Sequence, residues 1–180
     1  MIRKEIISEK KTLIILFVYS FLLLFFCSKM SPLYPFNEWD DINLYFTIGK
    51  GLFNGKIVYS ELFDHKGPLI FFIYGIAYLI SNTTFFGMYI IEALMWAFMI
   101  CAGYFTAKLY IDKIYAFIVA LIYPLFTLPH ILEGGSAEEM ILVFATISLF
   151  FFLSHFKDNN KTHKPLIMLI HGIMRSEERL

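Results

Sequence analysis

The sequence predicts an all-helical, polytopic membrane protein, and three observations carry that prediction. First, 58% of its 180 residues are hydrophobic and 19% aromatic, with 21 Phe and 11 Tyr, where soluble domains hold roughly 45–50% apolar residues. Mean hydropathy is +0.66, and a soluble fold of this size has too little interior to hide so much apolar surface. Second, 15 basic and 15 acidic side chains cancel. That balance leaves no basic excess to neutralise nucleic-acid phosphates, and high hydrophobicity excludes a disordered chain. Third, the charges gather in short clusters. Residues 12–28, 114–132 and 140–156 carry none, and residues 67–107 carry only Glu92.

Runs of about 17–25 apolar residues cross a hydrocarbon core about 30 Å thick, and inside lipid their backbone groups must pair within the segment, as helices do. Residues 12–28 form the first crossing. Arg3, Lys4, Lys10 and Lys11 precede it, as in a signal peptide, but its 17 residues exceed a usual signal core and no small-x-small site follows. Cys27 follows Phe26 rather than the small residue of a lipoprotein signal. Cys27 and Cys101 both lie in apolar runs and give no disulfide framework and no metal spacing.

The positive-inside rule orients the chain. The tail, residues 1–11, has four basic and two acidic residues and is expected in the cytoplasm. Residues 29–66 hold five acidic residues against four lysines and are expected outside. Residues 108–113, with two lysines and one aspartate, read as inside. Residues 133–139, with three glutamates and no base, read as outside, and residues 157–164, with three lysines and one aspartate, as inside. One crossing between Lys66 and Lys108 satisfies these signs, although residues 67–107 have room for two helices with a polar break at Ser81-Asn82-Thr83-Thr84. The first half, 68–80, gives about 20 Å of helix, short for a span. The reading is four crossings at about 12–28, 84–107, 114–132 and 140–156, with 68–80 dipping into or lying on the outer leaflet. The rival reading, five crossings, puts residues 133–139 inside. Pro124 and Pro129 are expected to kink the third crossing, where neighbouring groups tolerate them. Lysine outnumbers arginine twelve to three beside abundant Phe, Ile and Tyr, the bias of an AT-rich bacterial genome. The expected location is the bacterial cytoplasmic (inner) membrane.

The external segment 29–83 holds the chemistry. Ser31-Pro32-Leu33-Tyr34-Pro35 is a stiff, non-helical exit from the first crossing. Ile42, Tyr45, Phe46, Leu52 and Phe53 fall near helical spacing with Thr47 and Lys50 opposite, which predicts an amphipathic helix on the membrane surface. It ends at the turn signal Asn54-Gly55. Asp40 and Asp41 begin it, where the helix dipole favours a carboxylate. Pro68 opens the next helix and leaves His65 and Lys66 at headgroup level, beside a helix N-terminus that attracts anions. Taken singly, the acidic pair starts a helix in a solvated loop and Lys66 snorkels. Taken together, they offer carboxylates for base or metal-ligand work and a cation for a lipid phosphate.

The order of motifs is an N-terminal membrane helix, Trp39-Asp40-Asp41 with Tyr45, an amphipathic helix, then Gly55, Tyr59, Phe63-Asp64, Lys66 and Pro68 before apolar helices. It resembles the N-terminal portion of the GT-C integral-membrane glycosyltransferases, in the branch of bacterial aminoarabinose transferases and protein O-mannosyltransferases. Glu138-Glu139 matches the acidic position of that family's second external loop, and the resemblance covers roughly residues 12–156. It implies a GT-C-like module with juxtamembrane helices in the first external loop. It also implies a hexosyl or pentosyl transferase that takes its sugar from a polyprenyl-phosphate donor on the outer face, by direct displacement with inversion. On that resemblance Asp41, with Asp40 second, removes the acceptor proton. Lys66 stabilises the departing phosphate, with Tyr45 beside it and His65 or a bound Mg2+ or Mn2+ sharing the role. Glu138 or Glu139 orients the acceptor, assists the base or binds the cation, and Asp40, Asp41 and Glu138 are the candidate metal ligands.

Members of that family run to several hundred residues and eight or more crossings, whereas this chain has about four. Residues 165–174 are too short to span, and residues 176–180 are a charged stub. The expectation is a truncated or split gene product that ends in a cytoplasmic stub, residues 157–180; such a chain can carry the transferase signature and still lack activity. A reading from another class is a small non-enzymatic multi-pass protein, a helical subunit or lipid-binding accessory. Asp40, Asp41 and Glu138 are then solvated loop ends and Glu92 is the functional feature. An ionisable group within a membrane helix is functional or paired, unless Glu92 lies near the cytoplasmic end of its crossing. His130 is expected at the outer end of the third crossing beside Glu133, while His155, His163 and His171 share no metal spacing. No phosphate loop, dinucleotide fingerprint or Ser/His/Asp set is present in the sequence. Topology reporters fused after Asn82 and after Gly135 are both expected to read external; an internal Gly135 contradicts the four-crossing reading.

Overall fold

The computed structural model describes residues 9–128 and 133–157. These form the helices α1 (Lys10–Cys27), α2 (Asp40–Phe53), α3 (Pro68–Ile80), α4 (Phe86–Lys108), α5 (Lys113–Thr127) and α6 (Ala137–Lys157). Three of them, α1, α4 and α6, are long and apolar enough to cross a membrane, as the charge-free runs require. The fourth expected crossing, α5, is described over 15 residues, about 22 Å of helix. The rest of that run, with Pro129 and His130, lies outside the described residues. So do the tail before Glu9 and the polar stub after Lys157, with His163 and His171.

The central helix is α4, buried over 61% of its most apolar stretch against 17% for α1 and 22% for α6. The outer two therefore have most of their surface uncovered by the other described residues. In lipid, helices hold one another through close packing and hydrogen bonds rather than through the hydrophobic effect. Along α1, Phe17 meets Phe98 edge-on at 5.6 Å, Ser20 Oγ donates to the Ala93 carbonyl at 2.8 Å, and the Tyr89 hydroxyl donates to the Phe21 carbonyl at 3.0 Å. Those pairings run in opposite sequence order, so α1 and α4 are antiparallel. α5 returns along α4 antiparallel as well, its Tyr123 hydroxyl donating to the Met99 carbonyl at 2.8 Å. α6 runs parallel to α4, with Glu139 beside Trp96 near one end and Phe150 5.9 Å from Phe105 further along.

The antiparallel pairing of α1 and α4 has a topological consequence. The chain leaves α1 and enters α4 at the same end, so the segment holding α2 and α3 starts and finishes there. α3 spans 13 residues, with Pro68 in its first turn and Gly67 as its cap, and lies at that end without traversing the bundle. α2 begins at Asp40 and Asp41 and stops at Phe53. Gly55, with φ of +84°, takes the left-handed turn that follows. α2 and α3 cross so closely that a Cβ on Gly49 would lie 2.6 Å from the Gly75 nitrogen. Tyr45 is buried there against Phe71 and Tyr74, with ring centroids at 6.2 and 5.7 Å.

The opposite end is closed by Glu9. Its carboxylate lies 2.6 Å from Lys113 Nζ, 2.9 Å from Lys108 Nζ and 3.1 Å from the Tyr104 hydroxyl, which clasps the α4–α5 turn to the start of α1. Burial raises the Glu9 carboxyl, but hydrogen bonds from Lys113, Lys108 and Tyr104 more than offset it and hold it at about 2. A carboxyl lowered on folding stabilises the fold above its usual value of 4.5, and that stabilisation disappears as pH falls from 4.5 towards about 2. Glu9→Gln is expected to lower the thermal midpoint in detergent at pH 7, with the gap to wild type closing across that window. A gap independent of pH contradicts the clasp.

Candidate functional site

The N-termini of α3 and α6 stand side by side at the end that also holds α2. Lys66, just before α3, places Nζ 3.1 Å from Glu138 Oε1 in the first turn of α6. This ion pair joins the two segments that the charge pattern assigned to one face. It borders a hollow of about 190 Å³ whose wall includes Leu69, Ile70, Ile141 and Phe144. The site thus has a charged mouth and an apolar flank. Tyr59, at φ of +70°, donates its hydroxyl to the Lys66 carbonyl at 2.7 Å and so fixes the backbone that presents Lys66. Such left-handed geometry at a non-glycine residue persists only where surrounding contacts enforce it.

Tyr45 gathers the carboxylates. Burial first, and then the negative charges of Asp41, Asp64 and Glu138, push its hydroxyl above the ordinary phenolic range, and Asp41 lies one turn before it on α2. Lys66 and Glu138 come together as an ion pair. Asp40 does not join them: it is exposed at the start of α2. His65 is exposed, with Nδ1 2.8 Å from Asp64 Oδ1, so its ring is engaged by Asp64. Asp64 is itself buried, and its Oδ2 has no donor.

Two expectations are corrected here. The candidate metal set Asp40, Asp41 and Glu138 does not converge: Asp40 turns outward, Glu138 is taken by Lys66, and among the described residues no three His, Cys, Asp or Glu side chains come close enough to hold a metal ion. Of the alternatives Glu138 or Glu139, only Glu138 faces the Lys66 mouth. Neighbouring residues of a helix point about 100° apart, so Glu138 is exposed while Glu139 is 3% exposed. Ser136 starts this turn by accepting the Glu139 N–H on Oγ at 3.0 Å, the Ser-x-x-Glu cap pattern. The Glu139 side chain goes inward, where Trp96 Nε1 donates to Oε1 and the residue lines a small hollow together with Glu92.

Glu92 itself is 1% exposed. Ser28 Oγ lies 2.7 and 3.0 Å from its two oxygens. It thus sits at the end shared by Ser28 and Gly135, not at the end of α4 near Lys108, which corrects the boundary reading; the paired reading is the one observed. Ser28, Asp64, Tyr74 and Trp96 were not foreseen as parts of this region. Their signal was the isolated polar group in an apolar run, or Asp64 within Phe63-Asp64-His65-Lys66, since polar groups in such surroundings need protein partners.

No family model matches the chain, and no curated protein or solved structure matches it either. The Lys66–Glu138 pair lends itself to a direct measurement. The Glu138 side chain is 69% exposed, so a double-mutant cycle with Lys66→Ala and Glu138→Ala is expected to give a coupling of about 0.2–1 kcal/mol in thermal stability. A coupling above about 3 kcal/mol, the range of buried pairs, contradicts a solvent-open mouth.

Proposed function

We propose that the chain acts as a GT-C-type membrane glycosyltransferase, taking a sugar from a polyprenyl-phosphate donor and passing it to an acceptor on the outer face of the bacterial cytoplasmic membrane. The observation that carries this reading is the Lys66–Glu138 pair at the mouth of the apolar-walled hollow. A lipid phosphate needs a cation and unpaired N–H groups, and Lys66 with the α3 N-terminus offers both. Its prenyl chain needs an apolar wall, and Leu69, Ile70, Ile141 and Phe144 form one.

The residues then divide the reaction as follows. Asp41 accepts the proton of the acceptor hydroxyl. The acceptor oxygen bonds to the anomeric carbon as the bond from that carbon to the lipid phosphate breaks, with inversion. Lys66, exchanging Glu138 for the phosphate, meets the negative charge that develops on the leaving group. Tyr45, buried one turn along α2 from Asp41, acts through it as a positioning residue. No step is assigned to a metal.

One observation favours the second reading, a small non-enzymatic multi-pass protein. Glu92, the charge inside the apolar run, is engaged by Ser28 and offers nothing to a substrate. The test supplies labelled polyprenyl-phosphate sugar to membranes that hold the chain. Transfer to an acceptor is expected, abolished by Asp41→Asn without loss of protein from the membrane, and donor binding is expected to weaken with Lys66→Ala. Transfer that survives Asp41→Asn removes Asp41 as base. Binding that depends on Lys66 without any transfer selects the lipid-binding accessory, and absence of binding overturns both.

A further inference from the structure

A separate feature lies about two turns inside α4. Glu92 and Glu139 are 1% and 3% exposed, and both line one small hollow between α4 and α6. The groups around them come from every neighbouring element. Ser28, at the end of α1, donates to Glu92. Trp96 of α4 donates to Glu139 Oε1. Two phenols nearby are spent elsewhere: Tyr74 of α3 donates to the Gly135 carbonyl at 2.7 Å and Tyr89 of α4 to the Phe21 carbonyl at 3.0 Å. Lys29, adjacent to Ser28, is held by Glu133 at 2.6 Å. Among the described residues no ion pair from a lysine, arginine or histidine reaches either carboxyl.

This inventory is one donor short. An ionised carboxylate only accepts hydrogen bonds. With both groups ionised, Glu139 Oε2 is buried without any donor, and two like charges face one hollow in a low-dielectric interior with no cation. Each of those conditions is costly. The hollow beside them, bordered by Met88, Met95, Trp96, Met140 and Val143, measures about 10 Å³, room for about one water and too little for a hydrated metal ion. A single proton meets every requirement. It lets one carboxyl donate to the other across the hollow they both line, gives the orphaned oxygen its donor and halves the buried charge.

We infer that Glu92 and Glu139 form a proton-binding site, sharing one exchangeable proton between α4 and α6. The site stands independently of the transferase reading, since neither carboxyl belongs to the Lys66 mouth.

Infrared spectroscopy of the full chain in detergent at pH 7 tests this. The expected spectrum contains a protonated carboxylic C=O band that shifts on exchange into D2O and shifts again when the glutamates carry 13C, which assigns it to glutamate without any substitution. Glu92→Gln and Glu139→Gln are each expected to remove the band, because the glutamine amide then supplies the missing donor and the remaining carboxyl ionises. A wild-type spectrum without the band overturns the site. So does a band that survives the double substitution or keeps full intensity in either single one. A band that sodium or calcium removes assigns the site to a metal cation and overturns it too.

Discussion

A carboxyl group buried among apolar helices must find its partners inside the protein, and Glu92 imposes that constraint on this chain. Water is not available to it at 1% exposure, so four separate segments are drawn to it. α1 ends so that Ser28 Oγ reaches both carboxylate oxygens. The turn before α6 approaches so tightly that only glycine fits at position 134. A Cβ there would lie 2.3 Å from Ser28 Oγ and 3.0 Å from Glu92 Oε1, on a backbone with φ of +72°. α6 begins so that Glu139 turns inward to the hollow that Glu92 also lines, and α3 joins through the Tyr74 hydroxyl on the Gly135 carbonyl.

The candidate site depends on that arrangement although it shares no side chain with it. Once Gly135 and Ser136 are held, the first turn of α6 has one register, and in that register Glu138 faces outward to Lys66 while Glu139 faces in. The same Tyr74 that bonds Gly135 packs edge-on against Tyr45 at 5.7 Å, on the helix whose first turn carries Asp41. Further contacts fix the same turn from the first loop. Lys29 pairs with the Glu133 side chain at 2.6 Å and Asn37 Nδ2 donates to the Glu133 carbonyl at 2.6 Å. A buried acid pair with its glycine turn is therefore the scaffold, and the solvent-open carboxylates and lysine are what it presents.

How much of this the sequence reveals follows from the range of the interactions. Charge-free runs locate α1, α4 and α6 because lipid demands both length and apolarity at once. Pro68 and the Asp40-Asp41 pair locate the starts of α3 and α2 because helix ends have local chemistry. Asp41 and Tyr45 fall on one side of α2 because four residues make about one turn. Contacts between helices have no such local signature. The Ser28–Glu92 bond spans 64 residues of chain and the Trp96–Glu139 bond 43, and nothing near Glu92 in sequence names either partner. The metal reading failed for a related reason. Counting carboxylates per loop ignores that Asp40 and Asp41, like Glu138 and Glu139, point in different directions from the same helical turn.

The central claim is that the segment after α1 and the turn before α6 fold against each other at one end of the helices. Zero-length carbodiimide cross-linking of the full chain, read by peptide mass spectrometry, tests it directly, because it joins only amines and carboxylates already in contact. The Lys29–Glu133 and Lys66–Glu138 pairs, at 2.6 and 3.1 Å, are predicted to yield cross-linked peptides alongside the local Lys56–Glu61 pair at 2.9 Å. Recovery of the Lys56–Glu61 link alone would contradict the account.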